Sequence, residues 1–177
     1  MERTLIILKP DTIQRGLVGE IITRFERAGI KIVAMKMVAP DEEHFHKHYE
    51  GISNLISRWG EDIYYVTLSQ MTEAPVIAMV LEGIEVVAHV RKMVGTTDPK
   101  DSAPGTIRGD YTHITRSYSN PRGSTLPNLL HASGNPEEAE QEIALWFKDD
   151  EIYGGYDTAQ GPVVRGKVPA KRNKNED

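Results

Sequence analysis

The strongest constraint in this sequence is its punctuation. Three short apolar runs, Thr4 to Leu8, Ile30 to Val38 and Pro75 to Leu81, are each closed off by Pro, Gly or Asp. Runs this short and this rich in β-branched residues read as strands, and none approaches the length of a membrane span. Between them the apolar spacing changes to that of helices. After the breakers KPDTIQRG, Val18, Ile21, Ile22 and Phe25 recur at i, i+3, i+4 and i+7, and Ala28-Gly29 ends that helix. Pro40-Asp41 opens a second helix, expected over residues 41 to 57 with Phe45, Tyr49, Ile52 and Ile56 on one face. Gly83 precedes a third, carrying Ile84, Val87, Val90 and Val94. Tyr111 to Ser117 alternates aromatic or β-branched residues with polar ones and is expected to be the fourth strand. The closing helix starts at Pro136 and runs to about Lys148. Asn135 is its N-cap, Pro136 takes the first helical position, and Glu138 stands at the capping-box position.

Strict alternation of strand and helix suggests a parallel α/β sheet. Treating the helices at 41 to 57 and 136 to 148 as additions leaves strand, helix, strand, strand, helix, strand. That is the order of a ferredoxin-like αβ sandwich, an α+β fold with a four-stranded antiparallel sheet, and it is the expected architecture. A chain of 177 residues fits one domain. It is expected over 1–155, with a flexible tail over 156–177 that is rich in Gly, Pro, Lys and Asn. From Gln160 onward it holds five basic residues, Arg165, Lys167, Lys171, Arg172 and Lys174, against two acids, a net +3 that leaves -8 for the rest of the chain. The total of -5 argues against general affinity for nucleic acid, and no specific nucleic acid partner is expected. With no cysteine, thiol nucleophiles and zinc thiolates are excluded, and a cytoplasmic protein is expected.

The chemistry-bearing candidate is His131, four residues before the closing helix begins. An imidazole titrates near neutrality and serves as base, nucleophile or ligand. As a nucleophile it needs one nitrogen free and the other held by an acceptor, and Glu142 inside the helix is a candidate acceptor. On these residues alone the plainer reading is a loop histidine bonded to backbone. Lys9 past strand one, Arg91 in the third helix and Arg108 in the Gly-rich loop GTIRG would make a phosphate site if the fold brings them together. The cluster His44, His46, His48 contains an i, i+4 pair but no HExxH pattern and no clear third ligand, so no protein-built metal site is expected. His89 and His113 read as structural or surface residues.

Together these pieces resemble the nucleoside diphosphate kinases. The resemblance lies in ERTLIILKPDTIQRGLVGEIITRFERAGIKIVAMKM, the HY of HKHYE, PVIAMVLEG, VRKMVGTTDPKDSAPGTIRGDY, and NLLHAS followed by AEQEIALWF. It implies transfer of the γ-phosphate of a nucleoside triphosphate to a nucleoside diphosphate through a phosphohistidine, with ping-pong kinetics. By the same resemblance His131 is the nucleophile, with Ser133 and Glu142 orienting it. Lys9, Tyr49, Arg91, Thr97, Arg108 and Asn128 match positions that hold phosphates or ribose. Mg2+ bound mainly through the nucleotide phosphates, and a homo-oligomer, hexamer or tetramer, are implied too. The chain departs from the family in three places. His131-Ala132-Ser133-Gly134-Asn135 replaces His-Gly-Ser-Asp-Ser, and Ala132 is costly if that position needs positive φ. A regulatory homologue with little turnover is the alternative that this change raises; a histidine phosphocarrier leaves Lys9, Tyr49, Arg91 and Arg108 without a role. The segment after Tyr49 is longer and lacks Pro-Phe-Phe, which makes Tyr64 or Tyr65 the expected base-stacking residue. An insertion spans residues 115–127.

Overall fold

The computed structural model describes residues 1–124, 126–159 and 161. Its centre is β1, Glu2–Leu8, in which Thr4 to Leu8 are wholly buried. The run is continuously apolar because both faces of the sheet are covered. Leu5 and Ile7 join one core with Phe45, Met71 and Trp146, whereas Ile6 and Leu8 join a second with Phe25, Val90 and Ile107. Alternate side chains therefore face opposite layers, and the polar residues of β1 are confined to its start, Glu2, Arg3 and Thr4.

Pairing follows from β2, Lys31–Val38, β3, Val76–Gly83, and β4, Leu130–Ala132. The sheet order is β2-β3-β1-β4 and every neighbouring pair is antiparallel, which is the expected ferredoxin-like arrangement. One layer carries α2, Val18–Arg27, and α6, Val86–Val94, which follow α1, Pro10–Gln14. The opposite layer begins with α3, Glu42–His46, which runs into a π-helical turn, Lys47–Ile52. It continues through α4, Leu55–Trp59, and α5, Glu61–Thr72. Two short helices, α7, Ile107–Tyr111, and α8, Arg116–Ser119, precede β4, and α9, Pro136–Trp146, closes the domain.

Several local expectations are corrected. The fourth strand is Leu130–Ala132, not residues 111 to 117. Tyr111 ends α7, with its hydroxyl donating to Glu20 and its ring under Arg24, while Thr115 caps α8 by accepting from the Tyr118 N–H. Side-chain partners thus claim the alternating residues before a strand can. The single helix expected over 41 to 57 is broken at Asn54, whose φ of 50° is left-handed. Ile84 lies ahead of α6 and is exposed, because Glu85 at φ 46° turns the chain before the helix starts. At the end of the domain Tyr153 N donates to Val33 O at 2.7 Å, and the Tyr156 ring lies 4.4 Å from Lys31 Nζ. Tyr156, the first residue of the expected tail, is therefore packed on the sheet. Residues 162–177, with the five basic side chains, lie outside the described residues.

Candidate active site

His131 sits in the middle of β4, opposite Ile7 of β1, so its backbone is fixed by the sheet and not by a loop. Leu129, just before the strand, is fully buried with φ 72°, a left-handed conformation that leucine rarely adopts. Three anchors hold it there. Leu129 N donates to Asp11 Oδ2 at 3.1 Å, and Leu129 O accepts from Lys9 N at 2.9 Å and from the Thr12 hydroxyl. Strain of this kind costs about 1–3 kcal/mol and persists where the surroundings over-determine it.

His131 Nε2 lies 2.8 Å from Glu142 Oε1. Glu142, on α9, is completely buried, and its other oxygen accepts from Ser133 Oγ at 2.6 Å. Ser133 is itself satisfied, since its hydroxyl accepts from Leu5 N at 3.0 Å. With Glu142 Oε1 as the acceptor in this pair, Nε2 is the donating nitrogen and Nδ1 keeps the free lone pair. The changed motif supports this arrangement. Ala132 lies in β4, outside the residues of positive φ, so alanine is unstrained there. Asn135 Oδ1 accepts from Glu138 N at 2.8 Å and Glu138 Oε1 accepts from Asn135 Nδ2 at 3.0 Å, which starts α9 firmly and aims Glu142.

His131 opens on a cleft of about 350 Å³ that Lys9, Tyr49, Arg91, Thr97, Arg108 and Asn128 also line. The fold therefore gathers all six expected nucleotide contacts, while Ser133 and Glu142 stand behind the histidine. Lys9 Nζ donates to Asn128 Oδ1 at 2.8 Å, and burial pulls its pKa down from 10.5 to about 8. Asn128 Nδ2 donates in turn to Thr97 O at 3.1 Å. Arg108 is almost wholly buried and differs from the picture of a free phosphate clamp. Its guanidinium donates to the carbonyls of Asn128, Gly95, Thr96 and Leu130, which engages four of its five N–H groups. It buckles the 95–96 loop to the strand carrying His131 and has one N–H left; burial lowers its pKa to about 10. Arg91 is exposed, with Nη1 3.4 Å from Ser133 O.

Tyr49 and His48 come from the π-helical turn, a widened turn that buries two successive side chains. The Tyr49 hydroxyl is buried without a hydrogen-bond partner among the described residues, and burial raises its pKa. Sequence reasoning missed His48 as a neighbour of the site. Its ring is 4.5 Å from that of His131, its Nδ1 accepts from Trp146 Nε1 at 3.2 Å, and burial first, then the nearby His131, hold its pKa well below 6.5. No periodicity pointed to it, because the π-turn shifts the helical phase. His44 packs against Trp146 and His46 bonds to the Tyr64 hydroxyl, while His48, the i+4 partner of His44, lies against His131. Among the described residues the group with metal-ligand spacing is His48, His131 and Glu142. His89 and His113 are exposed. Neither Tyr64, buried against His46, nor Tyr65, 62% exposed, lines the cleft; Ile63 does, as does Leu126 of the insertion.

The family model described as nucleoside diphosphate kinase matches residues 2–152. A nucleoside diphosphate kinase of Pyrococcus furiosus is 50% identical over 171 residues, covering 97% of this chain and 98% of that relative. One from Borreliella burgdorferi is 43% identical, over 86% and 90% of the two chains. Among solved structures, a transition state mimic of the Borrelia burgdorferi nucleoside-diphosphate kinase with bound vanadate and ADP superposes with a TM-score of 0.88. It is 40% identical and covers 93% of this chain and 96% of its own. The Halobacterium salinarum kinase in complex with CDP gives a TM-score of 0.76 at 39% identity, over 92% and 97%.

Proposed function

The chain belongs to the nucleoside diphosphate kinase family, and from that premise we propose that His131 carries the γ-phosphate between two nucleotides that occupy one cleft in turn. The observation that carries the residue assignment is the Glu142–His131 bond, which occupies Nε2 and leaves Nδ1 of a cleft-lining histidine as the nitrogen available for attack.

In the first half reaction the Nδ1 lone pair attacks the γ-phosphorus in line. The bond to the β-bridging oxygen breaks, and its electron pair leaves with the nucleoside diphosphate. The imidazole gains positive charge as the N–P bond forms, and Glu142, held by Ser133, stabilises that charge through Nε2–H. Lys9, Arg91 and the remaining N–H of Arg108 meet the charge on the phosphoryl oxygens, and the unpartnered Tyr49 hydroxyl is an additional donor for one of them. Asn128 and Thr97 hold the loop from which the ribose and phosphates are reached. The second half reaction reverses these steps onto another nucleoside diphosphate. Weak base selectivity follows, since none of these groups reads a base edge.

A divalent cation would enter this cleft mainly as part of the nucleotide. Among the described residues the lining offers one carboxylate, Glu138, which accepts from Gly134 N and Asn135 Nδ2, and the buried Glu142 is taken up by His131 and Ser133. Mg2+ held by phosphates and water would neutralise phosphate charge when the nucleotide binds. No described helix is long and apolar enough to cross a membrane, and a cytoplasmic location accords with the lack of cysteine. A homo-oligomer, hexamer or tetramer, is supported by β2, an edge strand that exposes Met35 and Met37.

Initial rates with ATP and a second nucleoside diphosphate test the reading. Parallel double-reciprocal lines and exchange of label between ATP and ADP without acceptor are expected. Intersecting lines, or no exchange, would overturn the phosphoenzyme route.

A further inference from the structure

Arg116 touches both lips of the cleft. Its guanidinium lies 4.0 Å from the centre of the Trp59 ring, at the end of α4. Its backbone N–H donates to Asp98 Oδ2 at 3.2 Å, on the loop whose Thr96 hydroxyl donates to Asp98 O and whose Thr97 carbonyl holds Asn128. Both Arg116 and Trp59 line the cleft, and Trp59 is 48% exposed, so the stacked pair stands at its mouth and not in the core. The lining also includes apolar side chains from both lips, Leu55, Ile63 and Val66 on one and Leu126 on the other. Helix α4 therefore meets the start of α8 at this contact, beside the space left for a nucleotide.

We propose that Arg116 and Trp59 form a tie across the mouth of the cleft that slows escape of a bound nucleotide, and so act as affinity determinants for the phosphoryl transfer. The inference rests on the proposed function of the same cleft. A stacked guanidinium offers a flat, charged cover without a fixed donor pattern aimed at a base edge, so the tie acts on any nucleoside phosphate. A cation–π contact at an exposed site contributes about 0.5–1 kcal/mol, which corresponds to a roughly 2- to 5-fold change in affinity.

The test is a double-mutant cycle. Arg116→Ala and Trp59→Leu are each expected to raise KM for ADP and GDP by that roughly 2- to 5-fold factor, with the loss falling on KM and not on His131 phosphorylation at saturating ATP. Combined, they are expected to cost no more than either alone, and Trp59→Phe, which keeps a ring face, is expected to restore most of the affinity. Additive losses would mean that the two side chains act separately and would overturn the tie. A loss confined to one base would make Arg116 a base reader and would equally overturn it. Wild-type protein that takes up no phosphate from ATP would instead sink the proposed function, so the two failures are told apart.

Discussion

At the scale of single residues, phosphoryl transfer turns on which atom of each side chain reacts. Replacing His131 by Ala removes the nucleophile and should abolish phosphoenzyme formation while nucleotide still binds; a lost circular dichroism spectrum in that variant would mark the residue as structural. Glu142→Gln keeps the shape but not the charge that supports the imidazole, so phosphorylation should slow by about 100-fold or more with little change in KM, as expected when a group acts in the transition state. An unchanged single-turnover rate would remove Glu142 from the mechanism. Lys9 gives a pH signature. Its folded pKa is about 8, so the free enzyme has a cation there below that pH and a neutral amine above it. Hence kcat/KM should fall as pH rises through about 8. The decline in kcat should come at higher pH, because bound phosphates hold the proton on the lysine. A flat kcat/KM profile from pH 7 to roughly 9.5 would contradict this role.

At the scale of elements, α9 joins stability to chemistry. Its N-cap lies four residues from His131, and the helix carries Glu142. Asn135→Ala should lower stability by about 1 kcal/mol through the lost cap and should slow phosphorylation as Glu142 loses its aim; a normal rate with a lowered melting temperature would confine Asn135 to stability. This cap was legible in the sequence, since Asn, Pro and Glu stand at fixed offsets. Strand β4 was not, because three residues show no period and its middle one is the histidine itself. Helix α5 was missed although Tyr64, Leu68 and Met71 recur at i, i+4 and i+7, a signal obscured by the additional polar residues of a long segment. The π-turn had no sequence signature, and with it went His48. Nor could periodicity show Arg108 bound to four carbonyls, since that depends on distant backbone brought together by the sheet.

At the scale of the whole molecule, the sheet's two covered faces explain why the architecture was readable. Leu5 and Ile7 serve one core, Ile6 and Leu8 the other, so an uninterrupted apolar run was required at the centre of the chain's fold. The same sheet delivers Lys9 from the end of β1 and His131 from β4 to one edge of the cleft. An edge strand with exposed methionines should be covered in solution, and light scattering at micromolar concentration should give a mass several times that of one chain; a monomer mass would contradict assembly. The central claim is narrower and can be put to one measurement. Protein incubated with Mg-ATP, then examined by intact mass and by phosphorus-coupled NMR of the histidines, should carry one phosphate on Nδ1 of His131 that GDP removes. Phosphate on Nε2, on another residue, or on none would contradict the reading of the Glu142–His131 pair.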